Sequence, residues 1–441
     1  MNARQNPFFS VSTLPYQTPP FDQIEEQDFL PALQAGIEEK RQEIEAIALN
    51  SDAPSFFNTY EALERSGQLL NRVNLVFSAM TSAHTSPYLQ QVDEEIAPQL
   101  TALNDDIMLN RPLFSRLDAV YLQRAKLDAE SKRLVEVIWQ RFQLAGANLP
   151  EAQKQQLKTL NQEAARLGTR FTNKLLAATK AGGLVVDDLQ KLAGLSPADL
   201  AVAQAEAQAR GLEKRWLLVL QNTTQQPALQ SLADRATREA LFKAGVTRTE
   251  KGDENDTREL VLRLAQVRAE QARLLGFASY AEWKLQDQMA KTPKAALAFM
   301  HNIVPAARGR AEREAAAIQQ TIDQQQGDFT LQAWDWRFYA EQVRRARYDL
   351  DESQIKPYFE LNSVLQNGVF WAATQLYGIR FTPRQDLPVY HPDVQVYEIF
   401  DADETPLALF YTDFFKRDSK GGGAWMSNFV NQSTLLDSKP V

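Results

Sequence analysis

Apolar side chains recur at three- and four-residue spacing through most of this chain. Between Phe29 and Leu49, the residues Phe29, Leu33, Ile37, Ile44 and Ile47 fall on one stripe, the pattern of an amphipathic helix. From Glu151 to Leu176, Leu157, Leu160, Ala164, Leu167 and Phe171 share a face. The period does not persist as a coiled-coil seam would require, so a core helix is expected there. Helix starts carry their own signals. Ser86-Pro87 and Thr292-Pro293 each place a hydroxyl cap before a proline, and Ser196-Pro197-Ala198-Asp199 adds an acid at the third position. Such groups satisfy the free N–H groups of a first turn. The helix after Ser196 is expected to end at Gly211, which can turn left-handed without a Cβ. After Arg380 the period changes. Val394, Val396 and Ile399 precede the turn Asp401–Pro406, and Leu407, Leu409 and Tyr411 follow it. Alternation on both sides of an Asp/Pro turn predicts a β-hairpin. The fold class is therefore mainly α, with a small β-sheet beginning near the C-terminus. The first twenty residues, rich in proline and polar side chains, read as an extended arm.

Composition narrows the function classes. The chain has 441 residues, 44% of them apolar and 24% charged, enough for two or three domains, or one large multi-lobed body, with a real core. A net charge of −8 argues against nucleic acid, which needs clustered Lys and Arg. Cysteine is absent, which excludes disulfides, thiolate metal sites and a thiol nucleophile. The N-terminus carries Pro and Gln where a signal peptide needs an apolar run, and no apolar stretch reaches the ~18 residues of a membrane span. A cytoplasmic protein with no membrane partner is expected.

Few short motifs survive inspection. No His-Glu-x-x-His occurs, and His84, His301 and His391 each stand alone. Asp253-Glu254-Asn255-Asp256 fails as a calcium loop, with Arg258 at the glycine position and Leu264 at the final acid. Ser353-Gln354-Ile355-Lys356 lacks the companion Lys-Thr-Gly of penicillin-recognising enzymes. Gly421-Gly422-Gly423 is neither a P-loop nor a dinucleotide fingerprint, since Met426 stands where a third glycine belongs. It is either a flexible loop or a backbone that approaches a ligand closely. Of Trp334, Trp336, Phe338 and Tyr339 at least two are expected in a core.

In order along the chain, several segments resemble the approach to the active site in the M3, or thimet oligopeptidase-like, zinc peptidases. They are Trp334-Asp335-Trp336-Arg337-Phe338-Tyr339, Tyr348-Asp349-Leu350-Asp351, Lys356-Pro357-Tyr358-Phe359, Asn362-x-Val364-Leu365 to Gly378, Phe410–Arg417, and Lys420-Gly421-Gly422-Gly423-Ala424-Trp425. Earlier segments agree: Pro20-Phe21-Asp22 with Phe29-x-Pro31-Ala32, Asn58-Thr59 before Ala62-Leu63-Glu64, and Leu274-Leu275-Gly276-Phe277 before Tyr280-Ala281. The likeness covers essentially the whole chain and is strongest to the bacterial peptidyl-dipeptidase branch, with the oligopeptidase A branch next.

The resemblance implies a two-lobed helical body with a small sheet whose edge strand pairs with an extended peptide. Residues 1–345 would form an N-terminal helical region and 346–441 the beginning of the catalytic region. The strand would lie within Leu407–Phe415, and Phe410, Tyr411, Gly421, Gly422 and Gly423 would bind substrate. Edge pairing suits a peptidase of broad taste, because main-chain hydrogen bonds ignore side-chain identity. In the family, two His and a Glu hold Zn²⁺ and the motif's Glu deprotonates a zinc-bound water. None of these residues maps onto this chain, so no catalytic residue and no metal ligand is expected in it. The resemblance therefore implies the N-terminal part of an enzyme that removes C-terminal dipeptides from short peptides. That enzyme would contain zinc and be monomeric when complete, while this chain would be inactive and metal-free alone. The competing readings are an oligopeptidase A-like endopeptidase, a non-catalytic peptide-binding pseudoenzyme and a helical scaffold.

Overall fold

The computed structural model describes residues 4–349 and 352–441. The chain divides into two compact units, one made of Met1–Arg170, Arg263–Trp283 and Leu365–Val441, the other of Phe171–Leu262 and Lys284–Val364.

The first unit is a helical layer against a three-stranded sheet. The Phe29–Ala48 helix buries Phe29, Leu33, Ile37, Ile44 and Ile47, the stripe that the sequence predicts. Its first half joins the Gln68–Ala83 and Pro87–Met108 helices in one core, with Val73, Phe77, Leu89 and Ile96 at the centre. Its second half serves a separate core around Leu113, Leu117, Val135 and Phe142. Ser86 caps the Pro87 helix by accepting from the Leu89 N–H at 3.1 Å. Asp105, 2% exposed, accepts from Asn161 Nδ2 at 2.6 Å, and Asn161 accepts in turn from Gln271. Its Oδ2 has no hydrogen-bond partner, and burial pushes its pKa up to about 6, the response of a carboxylate short of compensation.

The sheet comprises β3 (Arg380–Pro383), β4 (Gln395–Phe400) and β5 (Pro406–Thr412), antiparallel in the order β3-β4-β5. The β4–β5 pair is the expected hairpin around Asp401–Pro406, with an irregularity at Ile399/Phe400. Strand β3 is an addition to the sequence reading. Its apolar content is a single phenylalanine, Phe381, stacked on Phe370 with ring centroids 4.0 Å apart. Val396 and Leu409 carry the sheet into the first core.

The second unit holds a two-stranded ribbon, β1 (Leu184–Val186) with β2 (Trp216–Leu218), within a core of Leu192, Leu218, Leu220, Leu232 and Leu241. Between the strands runs the Pro197–Ala209 helix. Ser196 and Asp199 close its capping box, Gly211 sits at φ 71°, and Leu212 N–H reaches Ala207 O at 2.9 Å. That last bond is the signature of a left-handed helix end, as the sequence predicts. Thr292 caps the long Pro293–Gln324 helix, which buries only Ile318 and Ile322. These two pack with Tyr339, and Trp336 and Phe338 are partly buried against them. Asp335, with no exposed surface, lies between Arg235 Nη2 at 2.9 Å and Arg238 Nη2 at 3.1 Å. The two guanidinium groups also lie over the Phe329 and Phe338 rings, at 4.1 and 4.2 Å.

Candidate functional site

Strand β5 pairs with β4 on one side only. Side chains on a strand alternate between faces, and β5 uses both. Tyr411 points into an aromatic cluster, its ring 6.2 Å from Phe21 and 5.5 Å from Phe429, and its hydroxyl donates to Pro388 O at 3.2 Å. Burial raises its pKa above the usual phenol value. Phe410 lies on the opposite face, 36% exposed. The Tyr411 side chain is thus committed to the core, and what β5 can offer a ligand is main chain and the Phe410 face.

The outer edge of β5 already makes one strand-like contact. Leu409 N–H donates to Pro440 O at 3.1 Å, and Lys439 Nζ reaches Pro406 O. Main-chain groups alternate in direction along an antiparallel strand. Because the Leu409 N–H points outward, that of Tyr411 faces the same way, whereas Leu407 falls at the register irregularity. The edge therefore takes an extended partner through its backbone, as Pro440 illustrates.

The loop after β5 is organised around Asp413. Its carboxylate accepts from Arg417 Nη1 at 2.9 Å and Nη2 at 2.7 Å, and from the Tyr390 hydroxyl at 2.8 Å. Lys420 Nζ completes the set at 2.9 Å. Burial alone would raise the Asp413 pKa, but hydrogen bonds from Arg417, Lys420 and Tyr390 outweigh it and hold the carboxyl well below the usual range. Lys420 also donates to the carbonyls of Asp413 and Phe415, at 2.5 and 3.0 Å. Lys416 donates to those of Arg417 and Lys420. Four carbonyls are thus turned inward onto ammonium groups.

The loop is fastened to the end of the Gln68–Ala83 helix. Gly421 N–H donates to Ser82 O at 2.8 Å, Arg417 Nη2 to Ala83 O at 2.6 Å, and Thr85 N–H to Ser419 O at 2.9 Å. A cation on the last carbonyls of a helix is favourably placed. Beside this junction, the rings of His84 and His391 meet edge to face at 5.2 Å. Burial, then the charges of Arg417 and His391, lowers the His84 pKa.

Gly422 and Gly423 are exposed, and Gly423 has φ 95°, where a side chain is strained. A Cβ at Gly422 would meet nothing within 4 Å, and one at Gly421 only ordinary contacts. Of the three, only Gly423 needs glycine, for its backbone conformation and not for packing. The structure brings Tyr411 and Phe410 onto one strand and the three glycines onto the loop that follows. The Asp413 centre escaped the sequence reading. Its signal was the clustering of Asp413, Lys416, Arg417 and Lys420 within eight positions. The Leu350-Asp351 part of the Tyr348–Asp351 segment lies outside the described residues.

A family model described as Peptidase family M3 matches residues 228–440, and the chain is 60% identical over 438 residues to the dipeptidyl carboxypeptidase of Escherichia coli (strain K12). Residues 228–440 thus carry the pattern of peptidase family M3. The E. coli match covers 99% of this chain and 64% of that protein. The dipeptidyl carboxypeptidase of Salmonella typhimurium is 59% identical over the same shares. Oligopeptidase A of E. coli is 29% identical over 438 residues, covering 97% of this chain and 64% of that protein. The chain thus spans 64% of the length of these relatives.

M3 peptidases use zinc, and the donors among the described residues do not fit a zinc site. Among the described residues, no three His, Asp or Glu side chains converge to hold a metal. His84 and His391 meet edge to face and Asp393 Oδ2 lies 3.5 Å from His391 Nδ1, but these three do not converge as a metal site, and His301 sits on an exposed stretch of the Pro293–Gln324 helix. No catalytic step is therefore assigned to these residues. Among the described residues no helix is long and apolar enough to cross a membrane.

Proposed function

We propose that this chain forms the peptide-holding side of a zinc peptidase that removes C-terminal dipeptides from short peptides, and that it does not hydrolyse peptides alone. The observation that carries the reading is the 60% identity to a dipeptidyl carboxypeptidase, against 29% to oligopeptidase A. The site geometry agrees. An extended peptide would lie along the outer edge of β5, hydrogen-bonded to the main chain of Tyr411 and displacing Pro440 O from the Leu409 N–H. The Gly421–Gly423 loop would approach it through its backbone, with Phe410 offering an apolar contact. Residues 346–441 would be the start of the catalytic region, and the protein would work in the cytoplasm as a monomer. Zinc and its ligands would come from residues outside this chain.

The test is a chimera in which this chain replaces the matching 64% of the E. coli relative. Incubated with zinc and an unstructured decapeptide, it should release C-terminal dipeptides, read by mass spectrometry. Cleavage confined to internal bonds would overturn the dipeptidase assignment in favour of an endopeptidase. Turnover by this chain alone would overturn the division of labour.

A further inference from the structure

We propose that Asp413 is the positioning residue of the peptide-holding element, fixing the glycine loop relative to the edge of β5. The inference rests on the peptide-binding reading above and deepens it. Asp413 is the first residue beyond β5, which ends at Thr412. From there its carboxylate reaches forward to Arg417 and Lys420 and across to Tyr390. Lys420 immediately precedes the three glycines and is 7% exposed. One carboxylate therefore ties the end of the strand to the start of the loop through two side chains.

The surroundings give this tie a single geometry. Lys420 is held by the Asp413 carboxylate and by the carbonyls of Asp413 and Phe415. Three acceptors satisfy the three donors of an ammonium group, so Lys420 cannot move without losing a bond. Arg417 spends two N–H groups on Asp413 and places Nη2 on Ala83 O as well. The same guanidinium thus fixes the loop to the end of the Gln68–Ala83 helix. Gly421 and Ser419 add main-chain bonds to Ser82 and Thr85. Beyond Gly421 the loop is bare: Gly422, Gly423, Ala424 and Trp425 are all exposed. The loop has a rigid base and a bare top, the arrangement expected where backbone meets a ligand.

A purely structural ion cluster would stabilise the fold and leave peptide affinity untouched, which separates the two roles. The experiment measures binding of a fluorescein-labelled hexapeptide to the chain by anisotropy, alongside hydrogen exchange of residues 416–423. Asp413→Asn should weaken binding tenfold or more and speed exchange in that loop, with exchange in the Phe29–Ala48 helix unchanged. Asp413→Glu, which keeps the charge, should recover part of the affinity. Tyr390→Phe removes one of the donors and should weaken binding two- to fivefold. It decides the matter where Asp413→Asn fails to fold. Faster loop exchange with unchanged affinity in Asp413→Asn, or unchanged affinity in Tyr390→Phe where it stands alone, overturns the positioning role and leaves the peptide-binding reading intact. Absence of hexapeptide binding by the wild-type chain overturns that reading itself, and the inference with it.

Discussion

Asp335 and Asp413 are both aspartates held by two cations among aromatic rings, and they are built in opposite ways. Asp335 is fully buried, and its partners Arg235 and Arg238 lie about a hundred positions earlier, on the Arg235–Val246 helix. Asp413 is partly exposed, and its cations are four and seven positions ahead on the same loop. The first is a tertiary clamp that joins helices. The second shapes a local segment, and only the loop and its seat feel it directly. A charge buried beyond the reach of water must keep its partners or cost several kcal/mol, whereas one near water has solvent as a fallback. The two centres should therefore fail differently.

The most severe break is Asp335→Ala. It leaves Arg238, 1% exposed, as an unpaired buried cation, and should cost about 3–5 kcal/mol by urea denaturation, with loss of structure through the second unit. A loss below about 1 kcal/mol would show that the clamp behaves like a surface pair.

A third carboxylate sharpens the contrast, because Asp105 is buried without a cation in hydrogen-bond contact. Its pKa is raised to about 6 by burial. Stability from its protonated form is full below about pH 4 and is lost as pH rises through 6. Asp105→Asn should remove that loss and stabilise the chain by about 1–3 kcal/mol at pH 8, with no gain at pH 4. Equal effects at both pH values would contradict it. Asp413 runs the other way. Its lowered pKa contributes stability above about pH 4 that is lost only on further acidification.

Arg235→Lys keeps a charge at the Asp335 clamp but loses the paired N–H contacts and the stacking over Phe329. About 1–2 kcal/mol of destabilisation is expected, measured by denaturant midpoint, since Arg238 still covers Asp335. The mildest break is Tyr390→Phe, which removes one hydrogen bond from Asp413. It should cost about 0.5–1.5 kcal/mol, visible as faster exchange in residues 413–421 before any shift in global unfolding.

The same division between local and distant partners explains what was legible in the sequence. Local physics showed plainly. The Phe29–Ala48 stripe, the caps at Ser86, Thr292 and Ser196, the left-handed turn at Gly211 and the β4–β5 hairpin each depend on neighbours within a few positions. What stayed hidden needed a distant partner. Strand β3 has little apolar signal of its own, and β1 and β2 are three-residue strands separated by a helix. Asp335 reads as one acid in an aromatic run until Arg235 and Arg238 are brought to it. Among the candidate site residues, the alternation that set Tyr411 with Leu409 and apart from Phe410 could not say what the Tyr411 ring would pack against. Phe21 and Phe429 decide that, and neither is near them in sequence.

The contacts of the N-terminal arm carry a consequence for how the protein is made. Tyr16 donates to Glu398 across 382 positions, and Phe21 packs on Tyr390, Tyr411 and Phe429. At about 5–20 residues per second, roughly 20–80 s separate the emergence of the arm from that of its partners. During that interval the Phe29–Ala48 and Gln68–Ala83 helices can pair, but Phe21 has no aromatic pocket to enter. Closure of the first core thus waits until residues 390–429 have been made, and until then Phe21 stays without its aromatic neighbours.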